Sequence, residues 1–165
     1  MAVDTNINQF KQGKAVGDID LNYFGGEAVV SCRYNPEATS TDTLIAGESV
    51  MLKDLGADDV GGPPIIDKRT SEHLSTIFGT VKRSLKQATF SPGDMVEIAI
   101  SGACMFLKAS GALARGAAVT PVLATPGSVK AVSTKTHYGI LLDKAADGDI
   151  VRVLIQANGV AVGSA

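Results

Sequence analysis

The stretch Ser91-Pro92-Gly93-Asp94-Met95-Val96-Glu97-Ile98 decides the fold class. Proline presets φ at the first central position of a β-turn and glycine accepts a positive φ at the second, so Pro92-Gly93 predicts a turn. Met95, Val96, Ile98 and Ile100 then read as a strand, broken at Ser101-Gly102, and Cys104-Met105-Phe106-Leu107 reads as the next. The same unit returns at Leu44–Leu52, Leu113–Val119 and Ala145–Val153. Turns at Gly47, Gly93, Gly116 and Gly148 thus each feed an apolar strand. Their irregular spacing argues against a solenoid and for one supersecondary habit used several times within one sheet system. Many short strands joined this way predict an all-β barrel or sandwich.

Outward from this unit, Glu27–Tyr34 reads as a strand that Asn35-Pro36 ends. Residues 56–72 read as a long connection, with Gly61-Gly62-Pro63-Pro64 and Asp67-Lys68-Arg69, and a connection of that length predicts a contact element. His73–Leu85 reads as a strand bulged at Gly79, with a short helix as the competing assignment. Residues 1–26 are polar and glycine-punctuated, and their isolated apolar residues (Ile7, Phe10, Val16, Ile19, Leu21, Tyr23, Phe24) follow no helical spacing. The expected organisation is an extended N-terminal arm over 1–26 and a β-barrel-like domain over 27–165.

The 165 residues are 45% hydrophobic but only 5% aromatic, with 18 glycines and no tryptophan, which predicts a core of Val, Ile, Leu and Ala. The formal net charge of −2 lacks the basic excess of a protein built to grip nucleic acid. Lys82-Arg83 with Lys86 is the one basic cluster of note, and it reads as a solvated strand face. No apolar run reaches the length of a membrane span. Met1-Ala2-Val3-Asp4-Thr5-Asn6 lacks a basic region followed by an apolar one, so synthesis in a cytoplasm with reduced thiols is expected. Cys32 and Cys104 sit in apolar runs and read as small core residues.

The residue types that carry chemistry are scattered. His73 and His137 lie near no nucleophile elbow, and no Gly-x-Ser-x-Gly occurs. Positions 32, 73, 104 and 137 lack the close pairing of zinc ligands. Asp58-Asp59 is followed by Val60-Gly61 and lacks the alternating oxygens of a calcium loop. Phosphate-cradling glycine loops are absent. Asp94, Asp147 and Asp149 each flank a turn glycine, where aspartate accepts local hydrogen bonds. No catalytic residue, cofactor or metal is expected, and the chain reads as a structural protein.

The C-terminal stretch Tyr138-Gly139-Ile140-Leu141-Leu142-Asp143-Lys144-Ala145-Ala146-Asp147-Gly148-Asp149-Ile150-Val151-Arg152-Val153 resembles the close of capsid cement, or head decoration, proteins of tailed bacteriophages. Ser91-Pro92-Gly93-Asp94-Met95-Val96 and Ala109–Gly116 resemble the middle of the same family, and the likeness covers roughly residues 44–157. The resemblance implies a small β-barrel or β-tulip-like domain on the outside of a virion capsid. Its partners would be the major capsid protein and further copies of itself, as trimers at local three-fold positions or dimers across capsomer boundaries. It implies no nucleic-acid or membrane partner and no catalytic residues. The arm residues Ile7, Phe10, Val16, Ile19, Leu21, Tyr23 and Phe24, with Pro63 and Pro64 of the long connection, are the expected capsid contacts. An arm over residues 3–24 would add a strand to a sheet edge of the capsid protein. The competing expectation is a carbohydrate- or ligand-binding β module of a fibre or tail.

Overall fold

The computed structural model describes residues 15–20, 28–53, 61–70, 77–132 and 137–156. The chain order is β1 (Val29–Tyr34), β2 (Leu44–Ile45), β3 (Ser49–Leu52), β4 (Ile65–Lys68), β5 (Gly79–Val81), β6 (Thr89–Phe90), β7 (Met95–Ala99), β8 (Cys104–Ala109), β9 (Ala118–Pro121), β10 (Ser128–Ala131), β11 (Gly139–Leu141) and β12 (Ile150–Ile155). The all-β class expected from the turn-and-strand unit is the class found. Instead of one sheet system, however, the strands close into two five-stranded barrels, β1-β4-β3-β5-β7 and β10-β8-β12-β11-β9, with β2-β6 as a small separate pair.

The turn unit works as its residue types require. Gly47, Gly93, Gly116 and Gly148 all take φ between +80° and +87°, and they lead into β3, β7, β9 and β12. At Ser91–Asp94 the Asp94 N–H donates to the Ser91 carbonyl (3.0 Å), while Asp94 Oδ2 accepts the Ser91 N–H (2.8 Å). Ile45–Glu48 and Ala146–Asp149 repeat both bonds, so the acid after each glycine closes its own turn. Along β7 the pleat then alternates, with Val96 and Ile98 inward and Met95 and Glu97 outward.

The two barrels are copies of one topology. β1, β3, β4, β5 and β7 correspond in chain order to β8, β9, β10, β11 and β12, and each pairing keeps its sense, including the parallel pair β1/β4 matched by β8/β10. The registers also coincide. Val29↔Ala99 in the first barrel matches Cys104↔Leu154 in the second, Arg33↔Ile65 matches Lys108↔Ser128, and Ser49↔Thr80 matches Ala118↔Ile140. Hydrogen bonds outside the strands repeat too: Tyr34 N–H to Asp94 carbonyl has its counterpart in Ala109 to Asp149, and Gly47 to Val81 in Gly116 to Leu141. Glycines stand at one equivalent site where nothing larger fits. A Cβ on Gly79 would lie 2.5 Å from the Ala99 carbonyl oxygen, and one on Gly139 2.7 Å from that of Leu154.

Two apolar clusters result. Cys32, Tyr34, Leu44, Val50, Ile66, Val81, Phe90, Val96 and Ile98 fill the N-terminal barrel. The second cluster, centred on Met105, Leu107, Val129, Leu141 and Val153, also takes in Ile77 and Ala99 from the first half, so the barrels share a core across their seam. Thr80 Oγ1 and the Tyr138 hydroxyl hydrogen-bond across that seam, and Arg69 Nη2 donates to the Pro121 carbonyl (3.2 Å). Cys32 and Cys104 are buried as expected, and desolvation pushes both thiols up to about 11.

Two expectations change. The span read as a connection over 56–72 contains β4, which joins β1 and β3 inside the first barrel. Ile65 and Ile66 are short and flanked by prolines and charges, which hides a strand buried on both faces. In His73–Leu85 only Gly79–Val81 is a strand among the described residues, and Gly79 marks a close backbone approach rather than a bulge.

Candidate contact surface

Pro63 and Pro64 are exposed and lead directly into β4. Proline has no N–H to give a ladder, so pairing with β1 begins at the Pro64 carbonyl, which accepts the Arg33 N–H (2.9 Å). The register sets Ile65 beside Arg33 and Arg33 beside Met95. Arg33 and Met95 both lie on the outward side of the pleat, and Met95 is 55% exposed. Arg33 Nε reaches the Gly93 carbonyl at 3.4 Å, at the tip of the turn unit. Leu52, also 55% exposed, closes β3 opposite Ile66, next to Lys53. Arg33 and Met95 thus sit side by side on the outer face, at the edge where Pro63 and Pro64 enter β4, whereas Leu52 shares the phase of the inward Val50 and is exposed at the end of β3. Sequence reading found the prolines but missed Arg33 and Met95. The outward phase of Met95, set by the inward Val96 and Ile98, was the available signal.

The arm residues are placed differently. Ile19 is 5% exposed, bridges Met105 of β8 in antiparallel sense and belongs to the second barrel's core. Val16 is half-buried against the same core, and its Cγ1 occupies the space that a Cβ on Gly47 or Gly127 would need. Residues 15–20 are therefore part of the folded body, and neither Val16 nor Ile19 joins the Pro63–Pro64 surface. Ile7, Phe10, Leu21, Tyr23 and Phe24 lie outside the described residues.

The ionisable groups serve the fold. Arg152 holds Asp143 through two contacts (Nη2 2.7 Å, Nε 3.0 Å) and reaches the buried Asp20 at 3.4 Å. Its hydrogen bonds to Asp143 hold the guanidinium above its ordinary range. Asp94 and Asp149 cap their own turns, and Asp147 Oδ1 accepts the Gly111 N–H (2.7 Å). Burial raises the Glu48 carboxyl although it accepts the Ile45 N–H. His137 Nε2 hydrogen-bonds Gln156 Oε1 (2.7 Å) beside the end of β12. Lys82 pairs with Glu97 (3.0 Å) on the face where the basic cluster was read. Among the described residues no three His, Cys, Asp or Glu side chains are grouped to hold a metal.

No protein-family model matches the sequence. No curated protein matches it either. Among solved structures, the chain is similar to the N base of the head fiber gp8.5 of bacteriophage phi29. That similarity is 14% in sequence, covers 78% of this chain and 93% of that one, and has a TM-score of 0.48.

Proposed function

We propose that this chain is a structural capsid decoration, or cement, protein that binds the outer surface of a phage-type head and stiffens it against internal DNA pressure. The observation that carries the reading is the doubled barrel with a shared core. It is a rigid body whose short, acid-capped turns present several fixed contact points at once. Decoration works through multivalency: weak single contacts gain greatly in effective concentration when a rigid or oligomeric body engages several shell subunits together. The Pro63–Pro64 edge with Met95 and Arg33 is the contact face within this reading, with the major capsid protein as partner and a homotrimer as the assembly. Activity in this role needs no catalytic group, cofactor or metal.

The fibre or ligand-module alternative is less well supported. Sugar sites stack rings on exposed aromatics, whereas among the described residues Tyr34, Phe90, Phe106 and Tyr138 are buried and Phe78 packs against the first core. The test is mass measurement in solution, then mixing with undecorated, expanded capsids and cryo-imaging. The reading expects an oligomer that fills repeated positions on the shell, with occupancy lost in Met95→Asp. A monomer that leaves the capsids bare overturns it.

A further inference from the structure

The duplication of the barrels extends to part of their outer surface. Arg33 on β1 stands beside Met95 on β7, and at the equivalent position of the second barrel Lys108 on β8 stands beside Ile150 on β12. All four lie on the outward side of the pleat and are exposed, Met95 at 55% and Ile150 at 36%. Each cation also lies over its turn glycine. Arg33 Nε reaches the Gly93 carbonyl (3.4 Å), and Lys108 Cε lies 3.9 Å from where a Cβ on Gly148 would stand. The neighbouring strand enters both sites in the same way. Arg33 N–H donates to the Pro64 carbonyl and Lys108 N–H to the Gly127 carbonyl (both 2.9 Å), and an exposed proline, Pro63 or Pro126, comes one residue earlier.

Elsewhere the matched side chains differ, with Ser31 against Phe106 and Tyr34 against Ala109. The turn glycine and the acid after it recur because the turn itself requires them. The interior makes no such demand on an exposed cation or on an exposed large apolar side chain, so their recurrence points outward. Among the described residues neither Arg33 nor Lys108 has a carboxylate partner. Asp94 and Asp149 hold their own turns through Oδ2. We infer that the two positions are equivalent contact sites, each taking an acidic, apolar surface segment of the major capsid protein, so that one chain bridges two shell subunits. This rests on the decoration reading and extends its contact face from one barrel to both. At each site the cation meets a carboxylate, and an apolar side chain of the partner covers Met95 or Ile150. A single cation per site is too few for a nucleic-acid backbone. Two weak sites on one body gain through effective concentration what neither has alone.

Co-sedimentation with expanded, undecorated capsids tests this on the unchanged chain, Arg33→Glu, Lys108→Glu, Ile150→Asp and the double charge reversal, with thermal unfolding as the control for folding. The expected result is that each single variant weakens binding at least about tenfold, the two charge reversals by similar factors, and that the double reversal leaves the shells bare. Cryo-imaging of the unchanged chain should then show its two barrels on two neighbouring subunits. Undiminished binding by Lys108→Glu and Ile150→Asp overturns the second site and leaves the decoration reading standing. Both barrels seated on one subunit overturns the bridging. An unchanged chain that leaves the capsids bare overturns the decoration reading itself. A lower oligomer mass in the single variants assigns the sites to a second copy of this chain and overturns the inference as well.

Discussion

At the residue scale, two buried tyrosines differ in their hydrogen bonding. Tyr138 is 1% exposed, and its hydroxyl shares a hydrogen bond with Thr80, itself 1% exposed. Tyr34 is 0% exposed, and its hydroxyl has no partner among the described residues. Burial raises the pKa of both phenols, with Asp42, Asp67 and Glu48 pushing Tyr34 the same way and Arg69 opposing the rise at Tyr138, so each stays neutral. A buried hydroxyl without a partner costs its desolvation, whereas breaking a made bond strands the group left behind. Tyr34→Phe is therefore expected to leave stability unchanged or raise it by up to about 1 kcal/mol, and Tyr138→Phe to lower it by about 2 kcal/mol. Chemical denaturation with midpoint and slope fitted together reads both.

At the scale of the element, glycines of two kinds are separable. Gly93 has open space around it but a φ of +87°, so Gly93→Ala carries only the left-handed penalty of about 1–2 kcal/mol. Gly79 needs no unusual φ, yet Gly79→Ala would drive a methyl into the β7 backbone and is expected to cost more than about 3 kcal/mol, or to prevent folding. Thermal unfolding of the two variants side by side ranks them, and equal losses would contradict the close-approach account. These two kinds of glycine also explain what could be read beforehand. The turn glycines announce themselves locally, since each stands before a strand and three carry an acid directly after. Gly79 and Gly139 are required by residues twenty and fifteen positions away, such as Ala99 and Leu154, and no local pattern reveals that. β10, at Ser128–Ala131, also went unread because its alternation is only four residues long, with Val129 and Ala131 as its apolar members. The contact surface was legible only at its prolines, because its other members meet through register.

At the scale of the whole molecule, the duplication was hidden because the two halves share hydrogen-bond register rather than side chains. Val29 faces Cys104 in the correspondence, Ser31 faces Phe106 and Tyr34 faces Ala109, so a residue-by-residue comparison sees little. The connections also shorten steadily: Gly47 precedes its counterpart Gly116 by 69 residues, while Gly93 precedes Gly148 by 55. A repeat with drifting spacing shows no fixed period. Because Ile77 and Ala99 of the first half sit in the second core, the barrels are expected to unfold together. Calorimetry should give one transition with equal calorimetric and van't Hoff enthalpies, and two resolved transitions would refute the shared core.

The junction between the halves, Ile100–Ala103, has a mechanical consequence. Ile100 N–H is bonded to Ala28 in the first barrel, Gly102 N–H to Ile155 in the second, and Ala103 N–H back to Ile100. A joint tied on both sides within four residues acts as a weld, not a hinge. Load entering one barrel passes to the other through hydrogen bonds strained together rather than opened one after another. Such a body behaves as a strut, the property on which the proposed decoration role would draw.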